Sequence, residues 1–196
     1  MGTKVPLNYT LGFGQQIYPG LSLNIHAGIL TKPYDQAIVE IMKTLGAEKA
    51  LANTIGEAFT IGYNIQPSVK YSLGKYYIGL SYAYYSLWAN DVSRESIEDY
   101  YGVTLPFRPL RTNTFDMNSR LHNAGMYFGR SFILDSPEWS LDLELGIHKT
   151  FSSDNKLHAD YGELTTVNNL IDNELDEVYK QYGYLASLNI FIVYSF

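Results

Sequence analysis

No cysteine occurs among the 196 residues, which excludes disulfides, iron–sulfur clusters and a thiol nucleophile and leaves the redox compartment open. Charge is also scarce, at 17% of residues with a net charge of -6, so there is no basic surplus of the kind a nucleic-acid partner requires. No 18-residue run is apolar enough for a transmembrane helix. The opening MGTKVPLNY has a lysine but no apolar stretch behind it, so it does not read as a signal peptide. Met1-Gly2 followed at once by strand-like sequence reads instead as a mature chain given a new start, with native residues ahead of it missing.

What the chain does have is apolar content of 46% with a mean hydropathy of only -0.13, and 18 tyrosines. Aromatic and β-branched side chains suit pleated surfaces, and this length suits one domain, 1–196. Alternation with period two then recurs along the chain. Apolar residues occupy the odd positions from Val5 to Phe13 and from Leu21 to Ile29, and again from Phe59 to Leu73. After Gly74-Lys75 the even positions from Tyr76 to Tyr84 carry them. Leu141 to Ile147 alternates against Asp142, Glu144, Gly146 and His148, and the last run alternates from Tyr182 to Phe196. Ser119 to Phe132 is less regular: Ala124, Met126 and Phe128 share a face with Arg130, and the opposite parity of Phe115 and Met117 suggests a bulge upstream.

These runs are roughly twice the usual strand length of ~5–6 residues. A membrane barrel strand needs about 9–11 residues, apolar outward and polar inward, with tight turns at one end and long loops at the other. A soluble sandwich or lipocalin-like barrel also alternates, but its solvated face carries many lysines and glutamates. Here the polar faces are Gly, Ser, Thr and Asn, and tyrosines (Tyr71, Tyr76, Tyr82, Tyr84, Tyr182, Tyr184, Tyr194) sit near the strand ends like interfacial girdles. The expected fold is therefore all-β, a transmembrane up-and-down antiparallel barrel of eight strands.

Short turns fall at Pro19-Gly20, Gly74-Lys75 and Leu134 to Glu138. Long loops are expected at about 89–117 and 152–178, and the first long loop, 33–57, shows helical spacing in Ile38, Ile41, Met42 and Leu45. The third loop is acidic (Asp154, Asp160, Glu163, Asp172, Glu174, Asp176, Glu177) and reads as a solvated loop, with divalent cations near lipopolysaccharide phosphates as the sharper reading. Only seven strands are clear, whereas closed bacterial barrels normally have an even number. An eighth is either missing ahead of the chain, supplied elsewhere, or hidden in Tyr101 to Phe107. Val5 to Phe13, taken as the first strand, runs the wrong way to close against the last.

The final residues, Asn189, Tyr194 and Phe196, resemble the C-terminal assembly signal of bacterial outer-membrane barrels: a terminal aromatic, another two before it and a polar residue seven before the end. The sequence departs from that pattern at Phe191, where the family often has glycine. The resemblance implies a Gram-negative outer membrane, recognition by the barrel-assembly machinery, and contact with outer-membrane lipids and lipopolysaccharide. By size the chain is similar to the small barrels of the OmpA, OmpX and OmpW types.

Eight strands leave an interior that side chains fill. The expected lumen network is Lys70, Arg120, Asp142, Glu144 and His148, with His26, Asn24, Asn64 and Gln66 beside it, and Asp142 or Glu144 pairing with Lys70 or Arg120. No cofactor and no metal site are expected. Arg120-Leu-His-Asn-Ala-Gly125 resembles the His-x-Ser-Asn-Ala strand of outer-membrane lipid A deacylases, but the serine at the matching spacing is absent and Ser119 would have to serve His122 instead. The reading is thus a non-enzymatic envelope barrel, structural or interacting, alone or as part of a larger membrane complex. A lipid A hydrolase and OmpW-like passage of small hydrophobic molecules are the alternatives.

Overall fold

A computed structural model describes residues 1–5, 8–31, 59–93, 114–159, 162–163 and 165–196. Its strands are β1 (Gly2–Val5), β2 (Asn8–Tyr18), β3 (Leu21–Leu30), β4 (Phe59–Leu73), β5 (Tyr76–Ser93), β6 (Thr114–Ile133), β7 (Trp139–Ala159), β8 (Gly162–Glu163) and β9 (Tyr184–Tyr194). Among the described residues one helix, α1, spans Thr165–Tyr182. Every pairing is antiparallel, and the sheet runs β1 through β7 in chain order, then β9, which returns to β1. These eight strands form a closed ring; β8 adds two residues to the edge of β7.

Closure depends on the segment that the alternation treated as one strand from Val5 to Phe13. It is two strands: β1 ends at Val5, β2 begins at Asn8, and Lys4 lies opposite Asn8. The intervening sequence contains Pro6, which has no N–H to give to a ladder. Because the chain reverses there, β1 is antiparallel both to β2 (Gly2 opposite Thr10) and to β9 (Gly2 opposite Phe191). The expected mismatch of direction disappears, and the eighth strand is the N-terminal one. The other candidate, Tyr101 to Phe107, and the helical spacing at 33–57 lie outside the described residues.

The turns form where the sequence allows them. Gly20 at φ 80 follows Pro19, the pattern of a type II turn, and Gly74 at φ 63 opens the turn between β4 and β5. At the other end the strands extend into what were expected to be loops: β5 reaches Ser93, β6 starts at Thr114 and β7 continues to Ala159. The anticipated bulge near Met117 is also displaced. Met117 faces inward in step with Ser119 and Leu121, and the register shifts in β5, between Ala89 and Val92. A second shift puts Phe151 as an extra residue in β7, which moves its inward set from even positions (His148, Thr150) to odd ones (Asn155).

Side chains are distributed inside-out. Leu11, Phe13, Ile25, Leu80, Met126, Leu145 and Ile147 are each at least half exposed on the outer wall, whereas Asn8, Asn64, Asn123 and His148 are at most 1% exposed within. Aromatics gather at two levels. At the short-turn end Trp139 packs on Tyr194 at 4.9 Å and Tyr76 on Phe128 at 5.8 Å; towards the long-loop end Tyr63 packs on Trp88 at 5.2 Å and Tyr84 on His122 at 5.4 Å. Tyr76 and Tyr84 are eight residues apart on β5, about 26 Å along the strand and roughly 20 Å along the axis for a tilt of ~40°. That height is close to the ~25 Å apolar band of a membrane barrel.

Candidate functional site in the barrel interior

The interior is filled by pairing large rings with glycines across neighbouring strands. Gly12 lies opposite His26, Gly79 opposite Tyr127, Gly129 opposite Tyr77 and Gly125 opposite His148. At Gly125 and Gly79 an added Cβ would collide with the facing ring, so both positions require glycine. The small residues of the sequence's polar faces are therefore the space into which Tyr77, Tyr127 and His148 fold.

Polar side chains connect across this packing. Lys4 Nζ donates to Gln66 Oε1, and Asn8 donates to the Asn64 carbonyl. His148 Nε2 lies 2.9 Å from Ser81 Oγ and 3.3 Å from Gln66 Nε2. Since the Gln66 amide nitrogen can only donate, the His148 Nε2 is placed to accept. Tyr127 donates to Ser68 Oγ at 3.2 Å, and Asn189 Nδ2 donates to Glu144 at 3.0 Å. Lys70 Nζ lies 3.9 Å from Asp142 and 4.6 Å from the centre of the Tyr77 ring. Among the described residues two lysines thus share the lumen with two carboxylates, the balance that burial of charge demands.

Four of the five residues expected in this network, Lys70, Asp142, Glu144 and His148, lie in the lumen; Arg120 does not. On β6 the inward positions are odd, so Arg120 points outward, where it pairs with Asp154 at 3.6 Å and both side chains are well exposed. Parity already required this, because Ala124, Met126 and Phe128 share its face. Lys4, only 1% exposed, takes the role of second cation. The available signal was that Lys4 has the same even parity as Asn8 and Thr10 and is the only charge in that stretch. Of the C-terminal triplet, Asn189 is buried against Glu144, while Tyr194 and Phe196 face outward.

The serine–histidine pair is not assembled. Ser119 is fully buried and donates to Asn155 Oδ1 at 2.6 Å, whereas His122 sits on the outer face with its Nδ1 2.5 Å from Tyr82 OH. Their parity sends them to opposite sides of the wall.

At the long-loop end, the stretch expected as a solvated acidic loop holds α1. Leu175 and Tyr179 are buried, and Asp172 and Asp176 occupy the same helical face at i, i+3, i+4, i+7 spacing. Asp172 accepts from the Asn155 backbone at 2.6 Å, and Asp176 accepts from the Ser153 backbone at 2.8 Å and hydroxyl at 3.0 Å. These two carboxylates serve β7 rather than a cation. Partial burial pushes the Asp176 carboxyl up, but Lys180, 2.5 Å away, and the two Ser153 donors outweigh it and hold it below its ordinary value. Among the described residues no three His, Asp or Glu side chains converge as metal ligands would.

Fold and lining together define a closed eight-stranded antiparallel barrel, apolar outside and filled with a polar, charge-balanced plug. No family model matches the chain, and no curated protein matches it. Among solved structures it is similar to Acinetobacter baumannii CarO, at 12% identity over 96% of this chain and 83% of that one, with a TM-score of 0.34. It is also similar to Acinetobacter baumannii CarO2, at 9% identity over the same shares, with a TM-score of 0.33. Likeness this loose carries no argument about activity, which rests on the geometry above.

Proposed function

We propose that the chain is a non-enzymatic barrel of the bacterial outer membrane, acting as a structural or interacting element of the cell envelope. The carrying observation is the inside-out wall: outward leucines, isoleucines and phenylalanines exposed between two aromatic levels, around a buried polar interior. In water those side chains would forfeit roughly 1.5–3 kcal/mol each, which over the whole wall exceeds the 5–15 kcal/mol that stabilises an ordinary domain. In lipid they are at no disadvantage, and the closed ring leaves most of its backbone paired. Outer-membrane lipids, lipopolysaccharide and the assembly machinery are the partners this reading entails, with Asn189, Tyr194 and Phe196 as the assembly signal. Membership of a larger complex fits the same surface.

The interior argues against conduction. Lys4, Asn8, Asn64 and His148 are at most 1% exposed at mid-barrel, so the plug interrupts any axial path. Passage of hydrophobic molecules would have to avoid it, and lipid A hydrolysis lacks its serine–histidine pair. Expression in a Gram-negative host followed by membrane fractionation tests the proposal. The protein is expected in the detergent-extracted outer-membrane fraction, and in planar bilayers it is expected to give no steady conductance. Recovery in the soluble fraction without detergent would overturn it.

A further inference from the structure

Near the short turns, the outer wall carries a charge in apolar surroundings. Arg130 has the outward parity of Met126, Phe128 and Phe132 on β6, and the residues opposite it are Tyr76 on β5 and Leu143 on β7. Tyr76, Phe128 and Phe132 are all exposed on that face. A cation there is costly in hydrocarbon and tolerated only where it reaches the headgroups. Arg130 sits close to the end of β6 at Ile133, and Tyr76 is the first residue of β5. Its depth is thus that of the aromatic level where Tyr76 stacks on Phe128.

The guanidinium is held in place without being neutralised. Its central carbon lies 4.7 Å from the centre of the Phe132 ring and 5.2 Å from that of Tyr76. Such ring contacts leave the full charge and the N–H donors in need of an acceptor. Nε is covered and has no hydrogen-bond partner, and among the described residues no carboxylate lies within ion-pair distance of the group. Arg120, outward on the same strand at the long-loop end, differs in having Asp154 at 3.6 Å. Exposed Lys75 adds a second positive charge on the adjoining turn, where its carbonyl accepts from the Ser131 N–H at 2.8 Å. Short turns face the periplasm in barrels of this kind, so this depth meets the phospholipid leaflet.

We propose that Arg130 anchors a phospholipid-headgroup site on the outer wall, its guanidinium taking the phosphodiester of an anionic phospholipid. A guanidinium matches phosphate through two parallel N–H bonds, and Tyr76 and Phe132 hold this one before the lipid arrives, so little freedom is lost on binding. The acyl chains then lie against Phe128 and Leu143, further along the same face. Charge selects among headgroups. Arg130 and Lys75 are both positive, and no carboxylate stands beside the guanidinium among the described residues to receive a headgroup ammonium. A glycerol headgroup is therefore favoured over choline or ethanolamine. The inference rests on the membrane reading and narrows general lipid contact to one headgroup at one residue.

The test titrates the barrel, delipidated in maltoside micelles, with phosphatidylglycerol and with phosphatidylcholine of the same acyl chains, and counts retained lipid by native mass spectrometry. Phosphatidylglycerol is expected to be held about fivefold more tightly. Arg130→Gln is expected to abolish that preference, Arg130→Lys to keep part of it and Arg120→Gln to leave it intact. A measurement without substitution follows the Arg130 Nε–H resonance, which is expected to move at lower concentrations of phosphatidylglycerol than of phosphatidylcholine and not to respond to inorganic phosphate. Equal retention of the two lipids overturns the proposal, as does a preference that survives Arg130→Gln in a folded barrel. An equal response to inorganic phosphate, or displacement of the lipid from Arg130 by lipopolysaccharide, assigns the group another occupant and also overturns it. A barrel that fractionates with the outer membrane yet shows no preference sinks this inference alone, whereas recovery in the soluble fraction sinks the membrane reading itself.

Discussion

Two stretches of this barrel end in overhanging strand edges, and they are treated differently. At the long-loop end β7 rises past the start of β9, whose Tyr184 pairs with Lys149. The exposed edge above is covered by α1, with Asp172 and Asp176 accepting the Asn155 and Ser153 amides and Leu175 and Tyr179 sealing the contact. At the short-turn end, β2 runs on to Tyr18 and β9 to Tyr194, past the last rung that β1 makes at Met1. One edge is satisfied by carboxylates on a helix of this chain; the other is bridged by β1 as far as the Met1–Ile192 rung. A sheet edge must be paired, covered or wet. The covering of the β7 edge therefore marks α1 as a structural cap.

The sharpest way to break this contrast is at Lys4, which anchors β1 from inside. Lys4→Met removes the donor to Gln66 and the cation that faces Glu144 electrostatically, leaving a buried carboxylate short of charge. The expected cost is about 3–5 kcal/mol in urea unfolding from micelles. Exchange should accelerate first at β1 and at its partners Asn8 and Thr10. Next in size is Leu175→Ala at the cap, at about 2–4 kcal/mol for a buried leucine. That loss is expected to be local: the Ser153 and Asn155 amides exchange faster while the lumen is unchanged. If Leu175→Ala unfolded the whole barrel, α1 would be part of the core and not a cap.

The sequence made some of this legible and concealed the rest for definite reasons. Period two is a property of the strand itself, so the outward sets of β3, β4 and β9 and the inward places of Lys70, Asp142, Glu144 and His148 could be read directly. Parity is blind to reversals and insertions, however. The reversal of direction from β1 to β2 preserves the even-inward phase, so in the sequence the two strands look like one and Lys4 looks like its flank. Phe151 in β7 shifts the phase and made the strand seem to end there. α1 was obscured by its own acids: a helix with Asp172 and Asp176 on its buried face looks solvated unless the amides they serve are visible.

Asp176 makes the cap sensitive to acid. Its carboxyl is held below the ordinary value in the folded state, so its contribution is complete above the unfolded value, near pH 4, and is lost as pH falls through the folded one. Protection of the Ser153 amide is expected to be flat from pH 8 to about 5 once intrinsic exchange is corrected, and to decline below about 4. Asp176→Asn should remove that decline and cost about 1 kcal/mol of docking at neutral pH. Exchange at Gly12 and Gly14 should show no matching pH step.

The smallest expected effect is at Arg120, and it separates the lumen from the outer wall. Arg120 and Asp154 are 3.6 Å apart with both side chains more than 40% exposed, so solvent and salt screen the pair. Arg120→Ala should change unfolding stability by no more than about 0.5 kcal/mol, and Asp154→Ala by a similar amount. Were Arg120 part of the interior network, its removal would strand Asp142 or Glu144 and cost several times more, comparable to Lys4→Met. A large Arg120→Ala effect that vanished in the Arg120→Ala/Asp142→Asn double variant would return Arg120 to the lumen and reverse the inward set of β6. A small effect, alongside a large one at Lys4, places the second interior cation on β1, the strand that closes the ring between β2 and β9.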